Sequence, residues 1–154
     1  MATGPSERLR ELGITLPPPP KPVGAYRPVA IDGDHAWVSG QIPVVDGQPL
    51  HPGVVGRDVT VEQAKAAAER AALQALSALQ HELGDLDRVR LIVRVGVYVT
   101  SATDFVRHAE VGNGATELLV RVFGDDGRPA RVSMGVAALP LGACVEVELL
   151  ARIA

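Results

Sequence analysis

Two long stretches of the chain have a regular alternation of apolar and polar positions, and each fixes an element. From Ala64 onward, Ala64, Ala68, Ala71, Ala75, Leu79 and Leu83 recur at helical spacing. Thr60-Val61-Glu62-Gln63 ahead of them is a capping box, and Gly84 behind them is a helix stop, so the pattern predicts a helix ending at Leu83. Its inner face carries small residues, so it can lie close to a sheet. Further on, Val89, Leu91, Val93, Val95, Val97 and Val99 occupy every second position. That period predicts a long strand with one buried face, the other carrying Arg88, Arg90, Arg94 and Tyr98.

The remaining elements are shorter. Ser6 to Leu12 reads as one or two helical turns ending at Gly13. Ala25–Ile31 and His35–Ser39 read as strands joined at Asp32-Gly33-Asp34. Val44 to Gly56 reads as loop with short extended pieces. Asp104 to Phe123 has helical spacing at Ala115, Leu118, Leu119, Val122 and Phe123, and Gly112-Asn113-Gly114 predicts a break in its first half. Val132–Ala138 and Cys144–Ile153 read as two closing strands. The order ββαβαββ is an α+β sandwich with its helices on one face of the sheet. The other sheet face then needs a cover, which a closed oligomer supplies.

Pro17 to Pro20 are four consecutive prolines, followed by Lys21 and Pro22. They force polyproline II geometry and lack amide donors. The segment reads better as a stiff brace across the domain than as a ligand for a proline-binding module. Residues 1–22 are therefore taken as a helical turn plus brace, and residues 23–154 as a single domain.

Composition narrows the chemistry. Aromatic residues make up 3% of the 154 residues and the net charge is −3. Both argue against a stacking platform or a basic footprint for nucleic acid. No stretch approaches the roughly 18 apolar residues of a membrane span, and no secretory leader is visible. With a single cysteine, Cys144, the expected setting is cytoplasmic. That thiol reads as buried and inert. His35, His51, His81 and His108 fall into no metal-ligand pattern, so no metal is expected.

Two residues remain as candidates for chemistry. Arg131 opens a strand of small residues, and Glu146 lies on the polar face of the last one. A guanidinium can grip a carboxylate with two parallel bonds, and a carboxylate beside it can handle a water molecule. By spacing alone, a cross-strand Arg–Glu pair on a solvated face explains them better.

The segment from Pro129-Ala130-Arg131 through Leu139-Pro140 to Val145-Glu146-Val147-Glu148 resembles the C-terminal signature of the Rid (YjgF) family of reactive-intermediate deaminases. Gly24-Ala25-Tyr26 and Val38-Ser39-Gly40-Gln41-Ile42-Pro43 resemble its N-terminal signature. The Leu12–Pro17 and Asn113–Leu118 segments look like a branch often labelled putative endoribonuclease L-PSP. The resemblance covers about residues 22–154. It implies a chorismate-mutase-like fold, a homotrimer with sites in clefts between subunits, and cofactor-free hydrolysis of imines and enamines such as 2-aminoacrylate to 2-oxo acids and ammonia. Carried over by position, Arg131 would bind the substrate carboxylate with help from the Ser133 backbone, and Glu146 would orient the attacking water. Tyr26 and Ser39 would line the cleft, with Asn113 and Gly114 beside it. By the same alignment Arg131 and Glu146 would face each other across the hairpin around Leu139–Gly142, leaving Glu148 a structural role. Val132 replaces the usual serine, Ser133 the usual cysteine, and Gly114 the usual asparagine. The alternatives are a non-catalytic carboxylate-binding or chaperone-like trimer, an endoribonuclease or translation inhibitor, and a specialised pathway enzyme.

Overall fold

The computed structural model describes residues 3–154. The helix of the alanine repeat, α2, spans Val61–Leu83. Thr60 Oγ1 accepts from the Gln63 amide at 3.1 Å, Gln63 Oε1 accepts from the Thr60 amide at 3.0 Å, and Gly84 closes the helix in a left-handed conformation. Both ends of α2 are therefore where the sequence places them. The other helices are α1 (Pro5–Glu11) and α3 (His108–Phe123).

The strands are β1 (Val29–Asp32), β2 (His35–Gln41), the two-residue β3 (Val44–Val45) and β4 (Gln48–Pro49), then β5 (Val89–Thr100), β6 (Ala130–Val136) and β7 (Val145–Ile153). Five of them form one sheet in the order β1-β2-β7-β5-β6, and β3 and β4 form a separate ribbon. The last strand is thus inserted at the centre, antiparallel to β2 and β5. β6 runs parallel to β5. A parallel pair needs a crossover, and α3 provides it.

Helices α2 and α3 cover one sheet face. Their alanines and leucines share a core with Val95, Val97, Val99, Val145, Val147, Leu149 and Ala151. The other face is uncovered and partly apolar: Trp37 is 53% exposed and Met134 43% exposed.

Two sequence readings are corrected here. The alternation along β5 is not continuous. Register shifts between Val89 and Leu91 and between Ile92 and Arg94 change its phase, so Ile92 is buried while Leu91 and Val93 are only half-buried. A bulge adds a residue and turns the following side chains over. Helix α3 is also unbroken through Gly112-Asn113-Gly114, although it starts later than expected, at His108. These glycines serve close packing. A Cβ at Gly114 would overlap the Lys65 carbonyl of α2, and one at Gly112 would overlap the Ser133 hydroxyl.

The N-terminal segment is a docked brace. Ser6 donates its amide to Asp87 Oδ1 at 2.8 Å. Leu9 is buried, with Ile14 and Leu16 packed against the core. Ser77 of α2 donates its hydroxyl to the Pro17 carbonyl at 2.5 Å, and this bond is buried. Among the described residues, no helix is long and apolar enough to cross a membrane.

Candidate active site

Residues 145, 147, 149, 151 and 153 of β7 point into the core, so period two turns Glu146 and Glu148 to the uncovered face. They lie roughly 6.6 Å apart along the strand, in different surroundings. Glu148 sits opposite Gly96, where its Oε1 accepts from Tyr98 Oη at 2.6 Å and from Arg94 Nη1 at 3.0 Å. The Tyr98 hydrogen bond first, and then Arg94, hold its carboxyl below the usual range. Glu148 is thus an ionised member of a structural network with Tyr98 and Arg94.

Glu146 sits opposite Tyr98, with no such donors among the described residues. Burial pushes its carboxyl above the ordinary value of 4.5, and the charge of Glu148 adds to the rise. Such a carboxyl can exchange a proton near neutrality more readily than a solvated one. Its position depends on Gly40 in β2, where any Cβ would collide with the Glu146 carboxylate. A cavity of about 500 Å3 opens in front of it, lined among others by Tyr26, Gly40, Gln41 and Leu141.

In a step where Glu146 takes a proton from water, the carboxylate is the active form, and the rate of that step falls as pH drops through its raised value. The acid limb of a kcat/KM–pH profile is expected above 4.5. Glu148→Gln removes the neighbouring negative charge and is expected to move that limb towards acid. An unmoved limb would show that Glu146 does not govern it.

Arg131 belongs to β6, in register with Val95, and so faces the helix side of the sheet. Its Nη1 donates to Asn113 Oδ1 at 2.8 Å and Thr116 Oγ1 at 3.1 Å, both on α3. Asn113 and Thr116 are three residues apart and share a helix face. Both partners are neutral. By contrast, neighbouring Arg121 pairs with Glu69, and Arg128 pairs with Asp125 at 3.2 Å. Among the described residues no carboxylate pairs with Arg131, and its guanidinium opens onto a cavity of about 690 Å3. This is the arrangement of an anion anchor: a fixed fork with unused donors. Ser133, two residues on, has a buried hydroxyl with no hydrogen-bond partner among the described residues, close against Gly112.

The expected facing of Arg131 and Glu146 across a hairpin is therefore wrong for one chain. β5 lies between β6 and β7, and the two side chains project from opposite faces of the sheet. For the same reason the cross-strand Arg–Glu pair does not form. Asn113 and Arg131 do come together, as do Tyr26 and Glu146. Gly114 instead faces α2, away from the Arg131 cavity. Ser39 donates to the Arg27 carbonyl at 2.6 Å, which ties down the segment leading to Tyr26. Its side chain is not among those lining the Glu146 cavity, where the sequence reading places it. Cys144 is fully buried, and burial raises its thiol to about 11, so it is held as the inert thiol. Sequence reasoning missed Thr116 and Gly40. The first is signalled by its i+3 spacing from Asn113, the second by its place in the Ser39-Gly40-Gln41 motif.

The α+β sheet with helices α2 and α3 on one face is that of a YjgF/chorismate-mutase-like domain. Residues 6–153 match the family described as "YjgF/chorismate_mutase-like, putative endoribonuclease". The chain belongs to that family. It is 42% identical over 146 residues to Protein TCP17 of Trypanosoma cruzi, covering 94% of this chain and 91% of that one. A crystal structure from Shewanella oneidensis, described as a putative endoribonuclease, superposes with a TM-score of 0.94 at 32% identity over 98% of this chain and all of its own. RidA of an Antarctic Psychrobacter superposes with a TM-score of 0.60 at 26% identity, covering 88% of this chain and 94% of that one.

Proposed function

We propose that the protein hydrolyses reactive imines and enamines of 2-amino acids, such as 2-aminoacrylate, to 2-oxo acids and ammonia. We further propose that it does so as a homotrimer whose sites are completed between subunits. The observation that carries this reading is the separation of the two half-sites. An arginine without an acidic partner opens on one side of the sheet, and a protonatable glutamate opens on the other. One chain cannot bring them to one substrate, whereas a neighbour presenting its Glu146 cavity to the Arg131 edge strand can. The partly apolar uncovered face, with Trp37 and Met134, supplies surface for that association. The likeness to a RidA protein supports the same reading.

The chemistry needs few groups. Arg131 holds the substrate carboxylate, fixing the C2 carbon. For an enamine, protonated Glu146 gives its proton to C3, producing the electrophilic iminium. Water then adds to C2 and returns a proton to Glu146, forming a carbinolamine. That proton passes to nitrogen, and the carbinolamine hydroxyl gives its own proton to the Glu146 carboxylate as the C2–N bond breaks, releasing ammonia, leaving the 2-oxo acid and restoring protonated Glu146. Positioning and one proton carrier suffice because the iminium carbon is already electrophilic.

A coupled assay tests the reading. An amino-acid oxidase generates imines, and their decay is followed with and without the protein. Accelerated decay is expected, and no acceleration with any imine would leave a carboxylate-binding trimer in its place. Light scattering at micromolar concentration is expected to give about three times the chain mass of 16.1 kDa. A particle of the monomer mass would contradict the shared site.

A further inference from the structure

Three residues other than glycine have a positive φ among the described residues: Asp46, His51 and Leu141. Aspartate and histidine are among the side chains that tolerate this conformation best. Leucine is not, because its Cβ crowds the following carbonyl oxygen. At Leu141 φ is 57° and ψ is 19°, in the turn between β6 and β7. Its side chain is also 75% exposed, so burial does not offset the strain. Position 141 therefore keeps an apolar side chain against the preference of both its backbone and its solvent, where asparagine or glycine would be at ease.

The turn is held on both sides. The Gly142 amide donates to the Leu139 carbonyl at 3.2 Å, the Ala143 amide to the Pro140 carbonyl at 3.1 Å, and the Gly53 amide to the Gly142 carbonyl at 2.9 Å. Leu141 is thereby fixed at the edge of the cavity in front of Glu146, which it lines. Backbone strain persists where the surroundings over-determine it, and it gathers at ligand sites. The wall beside Leu141 has the same character. It includes Pro20, Pro22 and Ile42, together with Val23, which is 94% exposed. Two of its polar side chains, Gln41 and Gln74, are buried, and Gln41 donates its Nε2 to the Ser39 carbonyl at 3.0 Å. The volume of about 500 Å3 is that of a site for a molecule well beyond the size of 2-aminoacrylate.

We infer that Leu141 determines specificity, and that the preferred substrates are 2-imino acids with a branched apolar side chain that packs against Leu141 and Val23. The inference rests on imine hydrolysis at Glu146. With the substrate carboxylate on Arg131 and C2 at Glu146, the apolar wall is left for the side chain. Covering Leu141 and Val23 removes exposed apolar surface from water, and that gain grows with the area of the substrate side chain. A methyl or methylene group at C3 leaves most of the wall wet. A side chain ending in a carboxylate meets one cation in this lining, exposed Lys21, and the negative charge of Glu146 opposes it.

The test is calorimetric titration of the full chain with stable 2-oxo acids: pyruvate, 4-methyl-2-oxopentanoate and 2-oxoglutarate. The second is expected to bind at least about tenfold more tightly than either of the others, since even one methylene in an apolar pocket is worth that much. Leu141→Asn is close in size and accepts the left-handed backbone. It is expected to remove most of the difference while melting no lower than the native protein and keeping its particle mass. Leu141→Met, still apolar, should retain the preference. Leu141→Ala, expected to lose part of it, serves where the asparagine variant does not fold. Equal binding of pyruvate and 4-methyl-2-oxopentanoate, tightest binding of 2-oxoglutarate, or a preference unchanged in Leu141→Asn would each overturn the inference. So would dissociation of Leu141→Asn into smaller particles, which would make Leu141 a subunit contact. Turnover of 2-aminoacrylate by the native protein, measured in parallel, separates the two readings. Turnover without the preference removes the role of Leu141 alone. The preference without turnover removes the proton-carrier role of Glu146 and leaves Leu141 as the lip of a binding site.

Discussion

Arg131→Ala is expected to lower kcat/KM for imine hydrolysis by about 100- to 10,000-fold while the domain stays folded. The figure follows from two charge-assisted bonds to a substrate carboxylate, at roughly 1.5–3 kcal/mol each, with every 1.4 kcal/mol a factor of ten. The fold should tolerate the change because Arg131 is exposed and its bonds to Asn113 and Thr116 are to neutral groups on a well-packed helix. Arg131→Lys should recover little, since an ammonium cannot reproduce a planar fork, nor can it hold both Asn113 and Thr116 in the same geometry. Near-normal turnover by Arg131→Ala, with a melting temperature close to that of the native protein, would make this arginine a surface residue and remove the anchor.

Glu146→Gln is expected to lose about 100- to 10,000-fold in turnover, the usual value of a positioned acid–base group, while still binding a 2-oxo acid. Glutamine keeps the size of the side chain beside Gly40 and removes only its titration. Glu148→Gln is the control on the same strand face. Its carboxylate is already committed to Tyr98 and Arg94. The change should therefore cost less in turnover and show mainly in stability, because the amide oxygen that remains offers Arg94 and Tyr98 an uncharged acceptor in place of a carboxylate. The opposite ranking in two folded variants would exchange the roles assigned to these residues.

Legibility in the sequence differed sharply between elements. α2 could be read from end to end because a capping box and a left-handed glycine are local signals, independent of what the helix packs against. The Arg131 and Glu146 motif was recognisable as a motif, but its geometry was not. Period two tells which residues of one strand share a face. It does not tell where a strand enters the sheet, and β7 enters between β2 and β5. That placement alone moves Glu146 away from Arg131. The bulges in β5 are similarly silent, since every alternate residue there is apolar whichever way it turns. Gly112 and Gly114 gave a misleading signal because glycine marks both a helix break and a close contact, and only Ser133 and Lys65 across the interface decide between them.

The most direct measurement is complementation between two inactive variants. Arg131→Ala and Glu146→Gln are prepared separately, each checked as a folded trimer, then mixed in equal amounts, unfolded and refolded together. If each site takes Arg131 from one subunit and Glu146 from its neighbour, random reassembly of a closed ring restores about a quarter of the native sites, because some interfaces pair the intact arginine of one variant with the intact glutamate of the other. Recovery of about that fraction of imine hydrolysis is the expected result. Refolded mixed trimers with no activity above the separate variants would contradict a site shared between subunits.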